Sequence, residues 1–170
     1  GREVAVCANL PYYITSPILM RLLESRLPVT GITVMVQKEA AIRLCARPGT
    51  RECGAVSLAV QYYAEAETLF SVSRGSFLPA PNVDSAVIRL TVRKTPPCAV
   101  RNEALLFRLI RSAFGQRRKT LPNALVTAGC SKAAVQAALR AASISETARA
   151  EELTLPQFAA LADALDGPAA

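Results

Sequence analysis

The sequence predicts an α/β fold whose sheet is followed by a small all-helical domain. Two apolar runs with the length and composition of buried strands, residues 4–8 and 32–36, each precede a segment with helical periodicity. This strand–helix–strand–helix order implies right-handed crossovers and a parallel sheet. The dipeptide Pro96-Pro97 cannot continue a strand, and every later segment has helical character. We therefore expect an α/β domain over residues 1–94 and a helical domain over residues 95–170.

The first predicted strand ends at the tetrapeptide Asn9-Leu10-Pro11-Tyr12. Ser16 is a plausible N-cap, and Pro17 suits the first turn of a helix over residues 18–24. The tetrapeptide should therefore occupy a loop at the carboxyl end of a strand, which is where open α/β sheets place their ligands.

The tetrapeptide suits the alkylation of an amino group on an aromatic ring. Such a nitrogen is a poor nucleophile because its lone pair is delocalised, so a site must offer acceptors that draw it towards tetrahedral geometry. The Asn9 side-chain oxygen and the Leu10 carbonyl, held by the rigid Pro11, can supply them. Tyr12 offers a face for stacking a planar base. The alternative is a strand-to-helix turn that merely favours Asn and Pro.

After the second predicted strand, Gln37-Lys38-Glu39 leads into a short helix over residues 40–45. Arg47-Pro48-Gly49-Thr50 is expected to form a surface loop, and residues 54–63 a further helix. Strands over residues 68–72 and 85–92 should then close the sheet as an antiparallel pair. Phe77 lies in the proline-rich connection between them, where it could be a core plug or a wall of a base pocket. Composition alone favours the plug.

The helical domain begins at Asn102, a plausible N-cap for a helix over residues 103–114. One face of that helix is apolar, formed by Leu105, Leu106, Leu109, Ile110 and Ala113. Gly115 ends the helix, and the exposed basic segment Gln116-Arg117-Arg118-Lys119-Thr120 follows. Further helices are expected over residues 121–126 and 131–142, and from the N-cap Thr154 to residue 165.

The net charge of +7 is concentrated in one stretch of the chain. Between residues 89 and 119 the only acidic residue is Glu103, whereas nine residues are basic: Arg89, Arg93, Lys94, Arg101, Arg108, Arg111, Arg117, Arg118 and Lys119. Solvated protein surfaces usually mix the two signs, so a block of one sign more often meets a polyanion.

Composition also excludes several classes of function. The sequence contains no histidine, which rules out Ser-His and Cys-His catalysis and any His-ligated metal. The five cysteines have no zinc-site spacing and are odd in number, which favours reduced thiols of a cytosolic protein. No apolar run approaches the roughly 18 residues of a membrane span, and no signal or transit peptide is visible.

Taken in order, these segments resemble the ribosomal small-subunit RNA adenine dimethyltransferases, from their catalytic motif to their C-terminus. The similarity rests on Asn9-Leu10-Pro11-Tyr12, Gln37-Lys38-Glu39, the 77–81 and 83–87 segments, the 114–121 segment and Arg149-Ala150-Glu151-Glu152-Leu153. It implies the C-terminal half of a Rossmann-like class I methyltransferase sheet followed by a helical RNA-binding domain.

The resemblance also assigns roles to residues. It implies catalytic roles for Asn9, Leu10, Pro11 and Tyr12, and makes Phe77 the second wall of an adenine pocket. It implies S-adenosylmethionine as methyl donor, with Asn9 close to it. RNA binding is assigned to the basic residues Arg111, Arg117, Arg118 and Lys119. The expected protein is a cytoplasmic monomer without a metal, which methylates ribosomal RNA within a small-subunit precursor and so contributes to ribosome biogenesis.

One departure from the family pattern concerns the donor site. The family's glycine-rich cofactor loop and its acidic residues precede the catalytic motif, and no Gly-x-Gly pattern occurs here. The sequence therefore lacks most of an S-adenosylmethionine site and is expected to be inactive alone. It also predicts an open, apolar sheet edge at the strand that contains Val4.

Two alternatives stay open at this point. A related class of enzymes dimethylates large-subunit ribosomal RNA, although the Gln-Arg-Arg-Lys-Thr-Leu block favours the small-subunit enzymes. A non-catalytic RNA-binding module of ribosome assembly would also account for the basic block and the missing cofactor loop.

Overall fold

The computed structural model describes residues 3–25, 27–127 and 129–167. Contacts within the chain divide it into two units. The first contains the residues up to Ala46 together with Ala59–Pro96, and the second contains Arg47–Leu58 together with the residues from Pro97 onwards. The second unit is therefore discontinuous in sequence.

The described part of the first unit contains one four-stranded sheet with the order β1-β2-β4-β3. The strands are β1 (Val4–Asn9), β2 (Val29–Gln37), β3 (Ala64–Val72) and β4 (Ser85–Val92). The pair β1–β2 is parallel, as the strand–helix–strand order predicts, because the connection crosses over through a helix. The pairs β2–β4 and β3–β4 are antiparallel, which confirms the predicted closing pair.

The edge strand β1 and the inner strand β2 differ in how far their side chains are buried. Strand β1 occupies one edge of the sheet, and its residue Val4 is 43% exposed, in agreement with the expected apolar edge. The inner strand β2 buries Ile32, Val34 and Val36, which alternate along it towards one face of the sheet. The first unit thus has its core beside the inner strands, and β1 leads out of it to Asn9.

Helix α1 (Thr15–Glu24) begins earlier than the sequence predicts. A 3-10 turn over Tyr12–Ile14 runs directly into it, and the N-cap position is Ile14, which makes no side-chain capping bond. The expectation that Ser16 caps the helix is therefore wrong. The reason is local: the Pro11 carbonyl accepts from the Ile14 amide and from the Thr15 hydroxyl, both at 3.2 Å, and so starts the helix one turn sooner.

Two further helices follow β2, α2 (Lys38–Leu44) and α3 (Ala55–Tyr63). The described part of the second unit has four more: α4 (Glu103–Gly115), α5 (Leu121–Thr127), α6 (Lys132–Ala141) and α7 (Leu155–Leu165). The Asn102 side chain accepts from the Leu105 amide at 3.0 Å, which confirms the predicted N-cap of α4. All five residues of the predicted apolar face of α4 are buried.

Within the described ranges, no helix is long and apolar enough to cross a membrane. The same residues contain no group of three His, Cys, Asp or Glu side chains that could hold a metal ion. All five cysteines belong to the described part of the chain, and each is a free thiol.

Candidate functional site

A surface cavity of about 350 Å³ in the first unit collects residues from two distant segments of sequence. One segment follows β1, and the other is the proline-rich connection between β3 and β4. The lining residues are Asn9, Leu10, Pro11, Tyr12, Phe77, Pro79 and Pro81. The volume lies within the usual range for small-ligand sites, about 300–1,000 Å³. The structure therefore brings together all five residues to which the sequence assigns catalytic roles.

The end of β1 presents two hydrogen-bond acceptors at this cavity, one from a side chain and one from the backbone. Asn9 is exposed at the end of β1, paired in register with Met35 of β2, and the Leu10 amide donates to the Met35 carbonyl at 3.4 Å. Within the described residues, no hydrogen bond engages the Asn9 side chain or the Leu10 carbonyl. The Pro11 carbonyl, by contrast, is occupied by the start of α1. The two unengaged oxygens can therefore accept from a ligand.

Tyr12 is held by a hydrogen bond to a residue of β4. Its phenolic oxygen lies 2.6 Å from the hydroxyl oxygen of Ser85, the first residue of β4, and the Ser85 side chain is fully buried. This hydrogen bond holds the half-buried Tyr12 ring at the cavity wall. The sequence analysis did not assign a role to Ser85, although its segment 83–87 contributed to the family resemblance.

Phe77 reaches the cavity through an anchored loop. A 3-10 turn over Arg74–Ser76 precedes it, and the Arg74 amide donates to the Asp84 carboxylate at 3.0 Å. The Asp84 carbonyl accepts from the Lys38 amide, also at 3.0 Å, so the same residue joins the loop to the start of α2. Phe77 is half-buried and lines the cavity instead of filling the interior of the unit. Sequence reasoning also missed this role of Asp84.

The cavity has a neutral, partly aromatic lining. None of the seven lining residues is an Asp, Glu, Lys or Arg. Its functional groups are an amide, a backbone carbonyl, a phenol and an aromatic ring. This arrangement can orient and stack a planar, uncharged ring that carries an amino group, and it contains no general base.

A second depression, of about 610 Å³, lies at the carboxyl end of α4 in the second unit. It is lined by Phe114, Gly115, Gln116, Arg117, Arg118 and Lys119. Arg117, Arg118 and Lys119 are exposed, and the Lys119 ammonium makes a long contact of 3.5 Å with the Thr127 hydroxyl. Arg111 is exposed on α4 and does not line this depression. The structure thus groups three of the four residues to which RNA binding is assigned.

Arg117 differs from its two neighbours in its contacts. One of its terminal nitrogens donates to the Arg51 carbonyl at 2.7 Å and to the Cys53 carbonyl at 2.9 Å. Its guanidinium carbon lies 6.0 Å from the centre of the Phe114 ring, within range of a cation–π interaction. Burial raises the pKa of the Cys53 thiol, and the positive charge of Arg117 opposes that shift. The sequence had treated Arg117, Arg118 and Lys119 as equivalent.

A family model described as ribosomal RNA adenine dimethylase matches residues 1–166. The chain belongs to this family. The match includes the tetrapeptide of the cavity and the basic segment after α4, which are the two sites built above. It confirms the resemblance on which the sequence analysis relied.

Curated members of the family show substantial identity to this chain. The Ribosomal RNA small subunit methyltransferase A of Geobacillus sp. (strain WCH70) is 50% identical over 167 residues, which are 96% of this chain and 57% of that protein. The protein of the same name from Bacillus pumilus is 51% identical over 168 residues, covering 96% of this chain and 58% of its own length. The chain thus spans less than two thirds of the length of these relatives.

Solved structures confirm the fold class. The dimethyladenosine transferase from Plasmodium falciparum matches with a TM-score of 0.80 at 23% identity, over 95% of this chain and 66% of that one. The 23S rRNA methyltransferase ErmE matches with a TM-score of 0.68 at 24% identity, over 98% and 66% of the two chains. The chain therefore has the predicted fold, part of a Rossmann-like class I methyltransferase sheet followed by helices.

Proposed function

We propose that this chain carries the catalytic motif and the RNA-binding part of an enzyme that dimethylates the N6 position of adenines in small-subunit ribosomal RNA. The observation that carries the proposal is the cavity that joins the acceptors of Asn9 and Leu10 to the rings of Tyr12 and Phe77. We assign catalysis to the domain of residues 1–94 and RNA binding to that of residues 95–170. The proposed setting is ribosome biogenesis in the cytoplasm, with the protein acting as a monomer.

The two acceptors explain how the adenine amino group becomes reactive. If the Asn9 side-chain oxygen and the Leu10 carbonyl each accept a hydrogen bond from one N–H of the amino group, the nitrogen shifts from planar towards tetrahedral geometry. Its lone pair is then withdrawn from the ring and directed at the methyl group. Pro11 restrains the backbone that presents the carbonyl. The methylated nitrogen is acidic enough to release its proton to water, so the neutral lining suffices.

The two aromatic residues hold the base. An adenine must leave its helix or stack before an enzyme can reach its amino group, at a cost of a few kcal/mol. Stacking on aromatic side chains returns about 1–3 kcal/mol per base. Tyr12 can provide this platform without reorganising, because its hydroxyl is already bonded to the buried Ser85. Phe77 provides the second wall.

The proposed methyl donor is S-adenosylmethionine, which would supply an electrophilic methyl group as its sulfur–methyl bond breaks and would leave as a neutral thioether. The cavity suits the acceptor side of this reaction, since Asn9 can lie near both substrates. It does not suit the rest of the donor, because no lining residue is a carboxylate that could bind ribose hydroxyls and none is a glycine. We assign the remainder of the donor site to sequence outside these 170 residues, which is consistent with the greater length of the relatives.

The preferred substrate is small-subunit ribosomal RNA. The relatives with about 50% identity carry the small-subunit name, which favours this substrate over large-subunit RNA. The exposed cations Arg111, Arg118 and Lys119 support binding to a phosphate backbone, with no requirement for a metal. The acceptor-lined cavity favours an enzyme over a non-catalytic RNA-binding module.

The test uses a chimeric protein, in which this chain is joined to the region of a relative that lies outside the match. The substitution Asn9→Ala is made in this chimera. We expect turnover to fall by about 10²–10³, by analogy with the loss of one aligned transition-state hydrogen bond, while RNA affinity stays close to that of the parent. Methyl transfer from labelled S-adenosylmethionine to unmodified small-subunit ribosomal RNA would be measured under single-turnover conditions.

Asn82→Ala is the matched control, because Asn82 is an exposed asparagine of the same unit that does not line the cavity. It should retain the parent rate. Equal rates for Asn9→Ala and the parent would show that the Asn9 amide does not orient the amino group. A joined protein that binds RNA and donor but never methylates adenine would remove the enzymatic proposal itself.

A further inference from the structure

The sequence pattern does not indicate to which of the two units residues 47–58 belong. The structure assigns them to the second unit, whereas the residues on either side of them in sequence belong to the first. They open with a tight turn, in which the Thr50 amide donates to the Arg47 carbonyl at 3.3 Å and Gly49 has a φ of +84°. Pro48 and Gly49 occupy the two central positions, a pattern that suits a type II turn. The turn leaves Arg47 and Arg51 exposed.

The turn is attached to the helical unit at one point through Glu151. The Gly49 amide donates to the Glu151 carbonyl at 2.7 Å. Glu151 belongs to a 3-10 helix over Ala150–Glu152, inside the late signature Arg149-Ala150-Glu151-Glu152-Leu153 that the proposed function leaves unexplained. This contact gives the signature a role in holding residues 47–58.

A second attachment is made by Arg117, whose nitrogen bonds the Arg51 and Cys53 carbonyls. The guanidinium also lies over Phe114 of α4, and the Phe114 ring lies 6.4 Å from that of the fully buried Phe158 of α7. The side chain of Arg117 is therefore held on one side by two carbonyls and on the other by an aromatic ring of the helical core.

We propose that Arg117 is a positioning residue which fixes residues 47–58 and thereby places Arg51 in one phosphate-binding surface with Arg118 and Lys119. This surface would be built from segments more than 60 residues apart, with Arg117 between them. Arg118 and Lys119 follow Arg117 directly in the chain, whereas Arg51 is brought to it by its own carbonyl, 2.7 Å from the guanidinium. The inference rests on the proposed RNA-binding function and divides the basic block into one positioning residue and its RNA-contacting neighbours.

The test is a double-mutant cycle on RNA affinity. The 170-residue chain would be titrated with unmodified small-subunit ribosomal RNA transcribed in vitro, at several salt concentrations. A single lost phosphate contact lowers the log–log salt slope by about one. We expect that reduction for Arg51→Gln, for Arg118→Gln and for Arg117→Gln.

The double variants separate the two roles. If Arg117 acts through Arg51, the pair Arg51→Gln/Arg117→Gln should lower the slope by about one, like either single substitution. The pair Arg117→Gln/Arg118→Gln should lower it by about two. Additive effects in the first pair would overturn the proposal, because they would show that Arg117 contacts a phosphate itself.

A conservative substitution adds a readout that charge alone cannot explain. Arg117→Lys keeps the positive charge, but its side chain is shorter and lacks the planar guanidinium that lies over Phe114, so it should lower the slope as much as Arg117→Gln. Arg118→Lys should keep the slope of the parent, because a phosphate contact needs only a point charge. Hydrogen exchange at the Gly49 and Cys53 amides should quicken in Arg117→Lys and not in Arg118→Lys. Parent-like RNA binding and exchange in Arg117→Lys would overturn the proposal.

Two results are decisive even if the Arg117 variants fold poorly. An unchanged salt slope in Arg51→Gln would remove Arg51 from the surface and with it the positioning role. A parent chain that does not bind the RNA at all would instead contradict the proposed RNA-binding function. The two failures are therefore distinguishable.

Discussion

The hydrogen bond between Tyr12 and Ser85 gives a prediction whose size follows from burial. The two oxygens are 2.6 Å apart, and Ser85 is fully buried whereas Tyr12 is half-buried at the cavity wall. Removing either hydroxyl breaks the same hydrogen bond, but the two substitutions leave different hydroxyl groups without a partner. Tyr12→Phe strands a buried hydroxyl, and Ser85→Ala strands a phenol that can turn towards water.

The magnitudes follow from this asymmetry. An unsatisfied buried hydroxyl costs about 1–3 kcal/mol, whereas a typical hydrogen bond contributes about 0.5–1.5 kcal/mol net. Tyr12→Phe should therefore lower the free energy of unfolding by about 1–3 kcal/mol, and Ser85→Ala by the smaller amount. The double variant should cost less than the two single variants together, because the bond can be lost only once.

The assay is urea denaturation followed by circular dichroism for the parent, both single variants and the double variant. Tyr13→Phe is the control, because Tyr13 is 86% exposed and the loss of its hydroxyl should change the free energy of unfolding by no more than about 0.5 kcal/mol. Strict additivity, or a larger loss in Ser85→Ala than in Tyr12→Phe, would refute the reasoning that this bond holds the Tyr12 ring.

Two further predictions concern the donor and the thiols. Calorimetry on the 170-residue chain should detect weak or no binding of S-adenosylmethionine, because the cavity offers no ribose-binding carboxylate; tight binding would mean that the donor site is misplaced. At neutral pH a thiol reagent should label the exposed Cys7 before Cys45 and Cys53, whose pKa values burial raises above 9.0, and faster labelling of Cys53 would contradict this order. A thiol whose pKa is higher in the folded state stabilises the fold at pH values below its pKa in the unfolded state, and this effect is lost as the pH rises through its pKa in the folded state. The free energy of unfolding should therefore fall above about pH 9. The fall should be smaller in Cys45→Ala, which lacks one of these thiols.

The basic block shows what the charge pattern of a sequence can predict and what it cannot. The sequence indicates that residues 116–120 are exposed and basic, and the structure agrees for Arg117, Arg118 and Lys119. What the pattern cannot show is that Arg117, between α4 and those two residues, has its guanidinium bonded to residues 51 and 53. Three adjacent cations with the same local environment in sequence therefore divide into two kinds of contact in space.

The features that the sequence determined by itself are those set by local periodicity. The apolar face of α4, its Asn102 cap and the bounds of β4 follow from side-chain spacing and from capping chemistry within a few residues. The position of Asn9-Leu10-Pro11-Tyr12 after a parallel strand follows in the same way. Ser16 is a local exception, because the turn at Pro11 starts α1 before the expected cap.

Tertiary structure alone decided which distant residues meet. Ser85 lies 73 residues from Tyr12, Phe77 reaches the cavity through an anchor at Asp84, and residues 47–58 join the helical unit through Arg117. Contacts of this kind depend on strand order and on where a loop is anchored, and neither of these produces a periodic pattern of residues in the sequence. A hydrogen bond between residues that are remote along the chain constrains each partner's position but not its local pattern. The sequence therefore specified the elements and the chemistry of the motif, and the packing of the chain decided which residues hold that motif in place.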